Sequence, residues 1–310
     1  MNKEDMSFYR RKEWESVSSL CLYSRCPRLY FYRAGCRLSS PGSAIALTFG
    51  KAIHQALPYA LNNNLLKAME KFQEVWKGIE GDDKRNSQRA EQMLGYFMAT
   101  HQEGQSLYIP VSRKELQLSS SLISQEVEKD YEVLWAVDIG QKKLLVGIID
   151  LLGKHRDSGS RWVVEFKTTS MLGSWFFEGL TINPQVTTYP LAMKLMNQPV
   201  EGTIVEGILV SKNKCENIAV PFYVNDSLLQ QTLAWTQDLM DRIDKSEESG
   251  QFPQYCSGCS SYAQFGSPGY LCSYASLCKV DDWKELKSCF ETREDEELSP
   301  FYKLSKTPVK

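Results

Sequence analysis

The sequence predicts an α/β or α+β fold: a mixed sheet with helices around it and a helical layer at the N-terminal end. Three observations carry this. The first hundred of the 310 residues space their apolar side chains mostly at helical intervals. After Pro110 the texture changes, with alternation and short apolar runs, as in strands, from residue 126. Residues 225–250 then form one long amphipathic pattern.

In chain order, SSLCLYSRCPRLYFYRAG (18–35) reads as a helix opened by a serine cap and closed by Gly35. AIALTFGKAIHQALPYAL (44–61) reads as a second helix, starting near Thr48 and disturbed by Pro58. Residues 62–104 keep helical spacing with a break around Gly81–Asn86. EVEKDYEVLWAVD (126–138) alternates like a strand, and LLVGIIDLLG (144–153) is apolar enough for a strand covered on both faces. KHRDSGSR is a turn and WVVEFK the return strand. Residues 182–197 read as a helix despite Pro190, and 203–213 as another strand. Asn225 or Asp226 caps the long helix and Gly250 ends it. A cysteine-rich segment (256–278) and a charged tail follow. The expected divisions are a helical layer over 1–110, a core over 111–250, a cysteine-rich segment over 251–280 and a tail over 281–310.

No run of eighteen apolar residues occurs, so no transmembrane helix is expected. The charged start MNKEDMSFYRRKEW lacks the apolar core of a secretory signal. The expected location is cytoplasmic and reducing, where nine cysteines are thiols or metal ligands rather than disulfides. The net charge of −2 says nothing for nucleic acid, but its distribution does. From Ser16 to Met69 there is no Asp or Glu, while Arg25, Arg28, Arg33, Arg37, Lys51 and Lys67 fall there. That is either a patch directed at an anion or a solvated helical face.

The stretch VVEFKTTS (163–170) puts Glu165 and Lys167 on one face of a buried strand. If the hairpin centres between Asp157 and Ser158, Asp150 lies opposite Glu165 on the neighbouring strand. Asp150 is the single charge in its apolar run. An uncompensated acid there would cost several kcal/mol. Two acids and a lysine at one point form either a structural ion pair or a site for Mg²⁺ or Mn²⁺. Such a metal would activate water for phosphodiester hydrolysis, with Lys167 orienting the water or stabilising developing charge.

These residues resemble the core of the PD-(D/E)XK nuclease superfamily, in its RecB-like branch: GIID…VVEFKTTS matches the catalytic hairpin. FGKAIH (49–54) is similar to the G-x-x-x-H motif, with Gly50 and His54 in place. NPQVTTY (183–189) resembles the Q-x-x-x-Y motif, giving Gln185 and Tyr189, and SRCPRLYFY (24–32) the early C-P-R segment. The resemblance covers residues 18–278 and implies a restriction-endonuclease-like sheet. It implies Asp150, Glu165 and His54 at the metal and Lys167, Gln185 and Tyr189 as catalytic neighbours, Tyr189 contacting the nucleic acid. Glu128 resembles a further acid on the preceding strand.

Iron–sulfur members of the branch, AddB and CRISPR-associated exonucleases, hold a [4Fe–4S] cluster with one early and three late cysteines. The matching set here is Cys26, Cys259, Cys272 and Cys278, with Cys256 as substitute and a Zn²⁺ site as rival. The usual C-x2-C-x5-C spacing is broken, because Gly269 stands where another cysteine would. Such a cluster would set Tyr23, Arg25, Arg28, Tyr30, Tyr32 and Arg33 near the groove, with arginines on phosphates and tyrosines under bases. The implied activity is an exonuclease preferring single-stranded DNA or ends. With no phosphate loop in the sequence, it would work beside a separate helicase or a recombination or CRISPR-adaptation partner. Repair, phage replication and spacer acquisition all fit. The alternative is a non-catalytic DNA-binding or assembly module that keeps the fold.

Overall fold

A computed structural model describes residues 5–39, 45–102, 104, 106–111, 131–181, 183–255, 272–280 and 282–292. Among these residues seven strands form one mixed sheet in the order β1 (Trp14–Ser16), β5 (Leu144–His155), β6 (Arg161–Thr169), β7 (Gly202–Leu209) and β8 (Asn217–Tyr223). β3 (Tyr108–Pro110) and β4 (Tyr131–Val137) also pair with β5. β1–β5 and β6–β7 are parallel and the other pairs antiparallel. A two-residue pairing of β2 (Leu38–Ser39) with β9 (Glu291–Thr292) stands apart. No described helix is long and apolar enough to cross a membrane.

The expected first helix is broken in two. Ser16 caps α1 (Val17–Arg25) in a reciprocal capping box with Ser19. Pro27 then pushes Cys26 into extended backbone, φ −166°, and opens α2 (Pro27–Tyr30), which runs into a π-helical turn over Phe31–Gly35. Pro58, expected to disturb the second helix, is carried within α3 (Ile45–Leu61). α4 (Leu65–Trp76) and α5 (Ser87–Gln102) follow, with the break where expected. β6 and β7, being parallel, need a crossover, supplied by α6 (Ser174–Leu180) and α7 (Pro184–Leu195). Sequence reading gave α7 but not α6, nor the short β1 or the edge strand β8, whose Pro221 weakens its pattern. The long helix α8 spans Asp226–Ser249 and ends on left-handed Gly250. The four-residue α9 is Ala275–Cys278.

Helices cover both faces of the sheet. One core joins α1, α2, α7 and α8 to Leu152 and Val163, and the other joins α3, α4 and α5 to Leu151, Val164 and Phe166. The alternation slips at Asp150: Ile149 and Leu152 enter the first core and Leu151 the second. Asp150 thus stands where β5 changes face.

A buried ion cluster clamps the start of β5. Lys143 is 2.8 Å from Glu247, 3.3 Å from Asp244 and 3.5 Å from Glu15. Tyr30 and Ser19 donate to Glu15 at 2.5 and 2.6 Å, and Tyr9 donates to Glu247 at 2.5 Å. Burial alone would push the Glu15 carboxyl up, but Lys12, Lys143 and these hydrogen bonds outweigh it and hold it below the usual range. One cation therefore ties β1, β5 and α8 together. Lys143→Met leaves Asp244 and Glu247 without their shared cation and Glu15 with Lys12 alone, and is expected to cost about 3–5 kcal/mol in urea denaturation. Lys142→Ala removes only an exposed pair with Glu248 and is expected to leave the urea midpoint unchanged.

Candidate active site

β5 and β6 leave their ladder after Leu151↔Val164, so Asp150 and Glu165 face each other where the strands begin to part. The Phe166 N–H donates to Asp150 Oδ2 at 2.8 Å, which anchors the Asp150 carboxylate beside Glu165. Lys167 Nζ donates to Glu165 Oε1 at 2.5 Å and to Gln185 Oε1 at 2.8 Å. Gln185 Nε2 donates to Glu165 Oε1 and to the Tyr189 hydroxyl, each at 2.8 Å. An ammonium on one side and a carboxylate on the other leave the Gln185 amide one sensible orientation. His54, on α3, brings Nδ1 to 3.7 Å from Asp150 Oδ2. The structure thus brings together Asp150, Glu165, Lys167, Gln185, Tyr189 and His54.

α7 is held over this corner by a specific device. Pro190 has no N–H, which frees the Val186 carbonyl, and the buried Thr203 hydroxyl of β7 donates to it at 2.8 Å. Asn183 caps the helix at the Gln185 N–H, so Gln185 leaves the first turn directly above Glu165.

Buried acids elsewhere are satisfied. Glu206, one strand over on the opposite face, takes Tyr108 at 2.6 Å and Asn217 at 2.5 Å, with His101 at 3.4 Å. Glu165 Oε2, in contrast, is buried with no hydrogen-bond partner in the protein, and no other carboxylate among the described residues shares that state. Burial and the charge of Asp150 push the Glu165 carboxyl up to about 7 against the pull of Lys167. Burial disfavours charge on His54, but Asp150 and Glu165 outweigh it and raise its pKa. The corner attracts positive charge.

This donor set fits Mg²⁺ or Mn²⁺. Among the described residues no three His, Cys, Asp or Glu side chains are placed to hold one metal ion together, the expected set of His54, Asp150 and Glu165 included. These ions do not need three, since they keep several waters and bind through one or two carboxylates. Asp150 is 20% exposed, so the point is open to solvent on one side.

Other expectations need correction. Tyr23, Tyr30 and Tyr32 are 3%, 0% and 0% exposed, their hydroxyls spent on Arg242 and Ser246, Glu15, and Leu277 respectively. Closed in the core, they offer no face to a base. Tyr189 is also buried, edge-on to Trp135, with its hydroxyl accepting from Gln185 and no ring face exposed to a strand. The basic segment is not one patch: Arg37 is buried, Arg28 donates to the Phe252 carbonyl and Lys67 pairs with Glu70. Cys26 is buried, with Cys272 and Cys278 packed against the same core, while Cys256, Cys259 and Glu128 lie outside the described residues.

Residues 15–279 match the family model described as the PD-(D/E)XK nuclease superfamily. No curated protein matches the chain. Among solved structures, a "Putative exonuclease" from Eubacterium rectale is 14% identical, with 86% of this chain and 94% of that one covered and a TM-score of 0.46. The protein SSO0001 is also 14% identical, with 89% and 91% covered and a TM-score of 0.31.

Glu165 carries a sign that can be checked. Its folded pKa lies above its unfolded value, so ionising it costs nothing below pH 4.5, progressively more up to about pH 7, and a constant amount above that. Glu165→Gln removes the charge and keeps an acceptor for Lys167. In metal-free buffer it is expected to match the wild type near pH 4 and to be more stable by on the order of 1–3 kcal/mol at pH 8. Urea titrations at the two pH values read this directly.

Proposed function

The chain belongs to the PD-(D/E)XK nuclease superfamily, and on that footing we propose that it is a Mg²⁺- or Mn²⁺-dependent deoxyribonuclease that degrades DNA from ends, preferring single strands. The observation that carries this is the partnerless buried oxygen of Glu165 beside a second carboxylate and a tethered lysine.

Asp150 and Glu165 would hold the metal, with His54 beside Asp150. When bound, the metal supplies Lewis-acid activation of water and neutralises charge on the phosphoryl oxygens. The side chains supply positioning. Two of the three Lys167 donors are committed, to Glu165 and to Gln185. The third can hold the attacking water or a phosphate oxygen, since the side chain is 30% exposed. Gln185 keeps the ammonium from swinging away, and Tyr189 keeps Gln185 from turning over. Such preorganised donors are how phosphoryl transfer is accelerated without covalent chemistry.

A [4Fe–4S] cluster on Cys26, Cys259, Cys272 and Cys278 is part of the same proposal, with Zn²⁺ as the rival. Its support is the shared core of Cys26, Cys272 and Cys278, and the hydrogen bond from the Tyr32 hydroxyl, 3.3 Å long, to the Leu277 carbonyl. Such a cluster would join the two ends of the matched region, and its binding energy would be folding energy.

Labelled single-stranded DNA should be shortened in Mn²⁺ or Mg²⁺ and left intact in chelator. Asp150→Ala and Lys167→Ala should each lose at least about 100-fold in rate. End-blocked and circular strands should resist. Cleavage unaffected by Lys167→Ala would remove the proposed mechanism. Metal analysis of anaerobically prepared protein should find about four irons per chain and a brown colour. One zinc and no colour would instead select the rival.

A further inference from the structure

We propose that Trp175 is the stacking platform for an unpaired base next to the cleaved phosphodiester. This rests on the nuclease reading and names how the strand is gripped. The argument is one of register. On the parallel pair β6–β7, Glu165 aligns with Val205 and Lys167 with Gly207, and in-register residues of adjacent strands share a face. Val205 is covered by the small apolar cluster that includes Leu180, Phe176 and Phe177. At Gly207, a Cβ would lie 2.5 Å from Leu172 Cδ1 and 3.0 Å from Phe176, so the absence of a side chain lets this segment close onto the strand. α6 and the turn before it therefore sit one strand spacing, about 4.8 Å, to the side of the acid–lysine pair.

The helix divides its aromatic residues by task. Phe176 and Phe177 face the sheet, stacked edge-on at 5.0 Å, while Trp175 is 76% exposed and Met171, in the preceding turn, is 58% exposed. Packing has no use for Trp175. Two other large aromatics, both tyrosines, are exposed among the described residues. Tyr223 aligns with Gly202, five residues and about 16 Å from Gly207, and Tyr96 lies on α5 in the opposite layer. Trp175 is thus the exposed aromatic at the catalytic end of the sheet. A flat indole beside a phosphate-binding corner suits a base whose partner strand is gone, and such stacking is tolerant of sequence.

The test uses Lys167→Ala protein in Mn²⁺, in which cleavage is expected to be at least about 100-fold slower, as the common background for every variant, and thymidine oligonucleotides with or without abasic positions. Adding Trp175→Ala should weaken binding to the normal strand about tenfold. Trp175→Phe should restore most of it, and Trp175→Leu, apolar but without a flat π face, should not. Abasic substitution should cost the Trp175-bearing protein the same factor and the Trp175→Ala protein nothing. Unchanged melting temperatures establish that the variants fold. In the active enzyme, Trp175→Ala should act mainly on KM. Equal affinity with and without Trp175, or a loss identical on normal and abasic strands, overturns the stacking role while cleavage by the wild type leaves the nuclease reading standing. A wild type that neither binds nor cuts DNA ends both.

Discussion

Two carboxylates share one buried corner, and the protein supplies them with a single ammonium. Asp150 is pinned to the Phe166 N–H and Glu165 to Lys167 and Gln185, yet one oxygen of Glu165 has no partner. Burial and the charge of Asp150 raise the Glu165 pKa, and against the effect of burial the two acids raise that of His54. Proton uptake is the answer available to the protein alone, and a divalent cation is the stronger one. The surrounding architecture holds that conflict in place: the parting of β5 and β6, the Pro190–Thr203 anchor of α7, and α3 carrying His54.

The chain also shows the opposite solution. Glu15, Glu247 and Glu206 are about as deeply buried, each accepts from tyrosine, serine, lysine or asparagine donors, and none keeps a buried oxygen without a partner. These networks join elements far apart in sequence and make the sheet a rigid base. Rigidity there is what allows a costly arrangement at Glu165, because a preorganised site must be held by surroundings that do not relax. The difference between a structural and a functional buried acid is therefore visible as the number of lone pairs answered.

Much of this was legible in the chain. The pairing of Asp150 with Glu165 follows from counting outward from the Asp157–Ser158 turn, since a hairpin's register is set locally. The long helix, its cap and its glycine stop follow from periodicity and end chemistry. Other parts were not legible. The aromatic and basic residues from Tyr23 to Arg37 look like a nucleic-acid grip in one dimension, yet three of the tyrosines form core. α6 is only seven residues long, too short for a helical period to declare itself, so nothing in the spacing singles out Trp175.

The sequence by itself carried the motifs of the family that residues 15–279 match, and it set Asp150 opposite Glu165, because a hairpin's register is fixed by local spacing. Tertiary structure alone decided which buried acid is left unanswered, which aromatics are sealed in and which one stands beside the site. The physical reason is that burial and partnership are made by contacts between distant segments. Lys143 meets Glu247 across 104 positions, and the Thr203 side chain repairs what Pro190 removes.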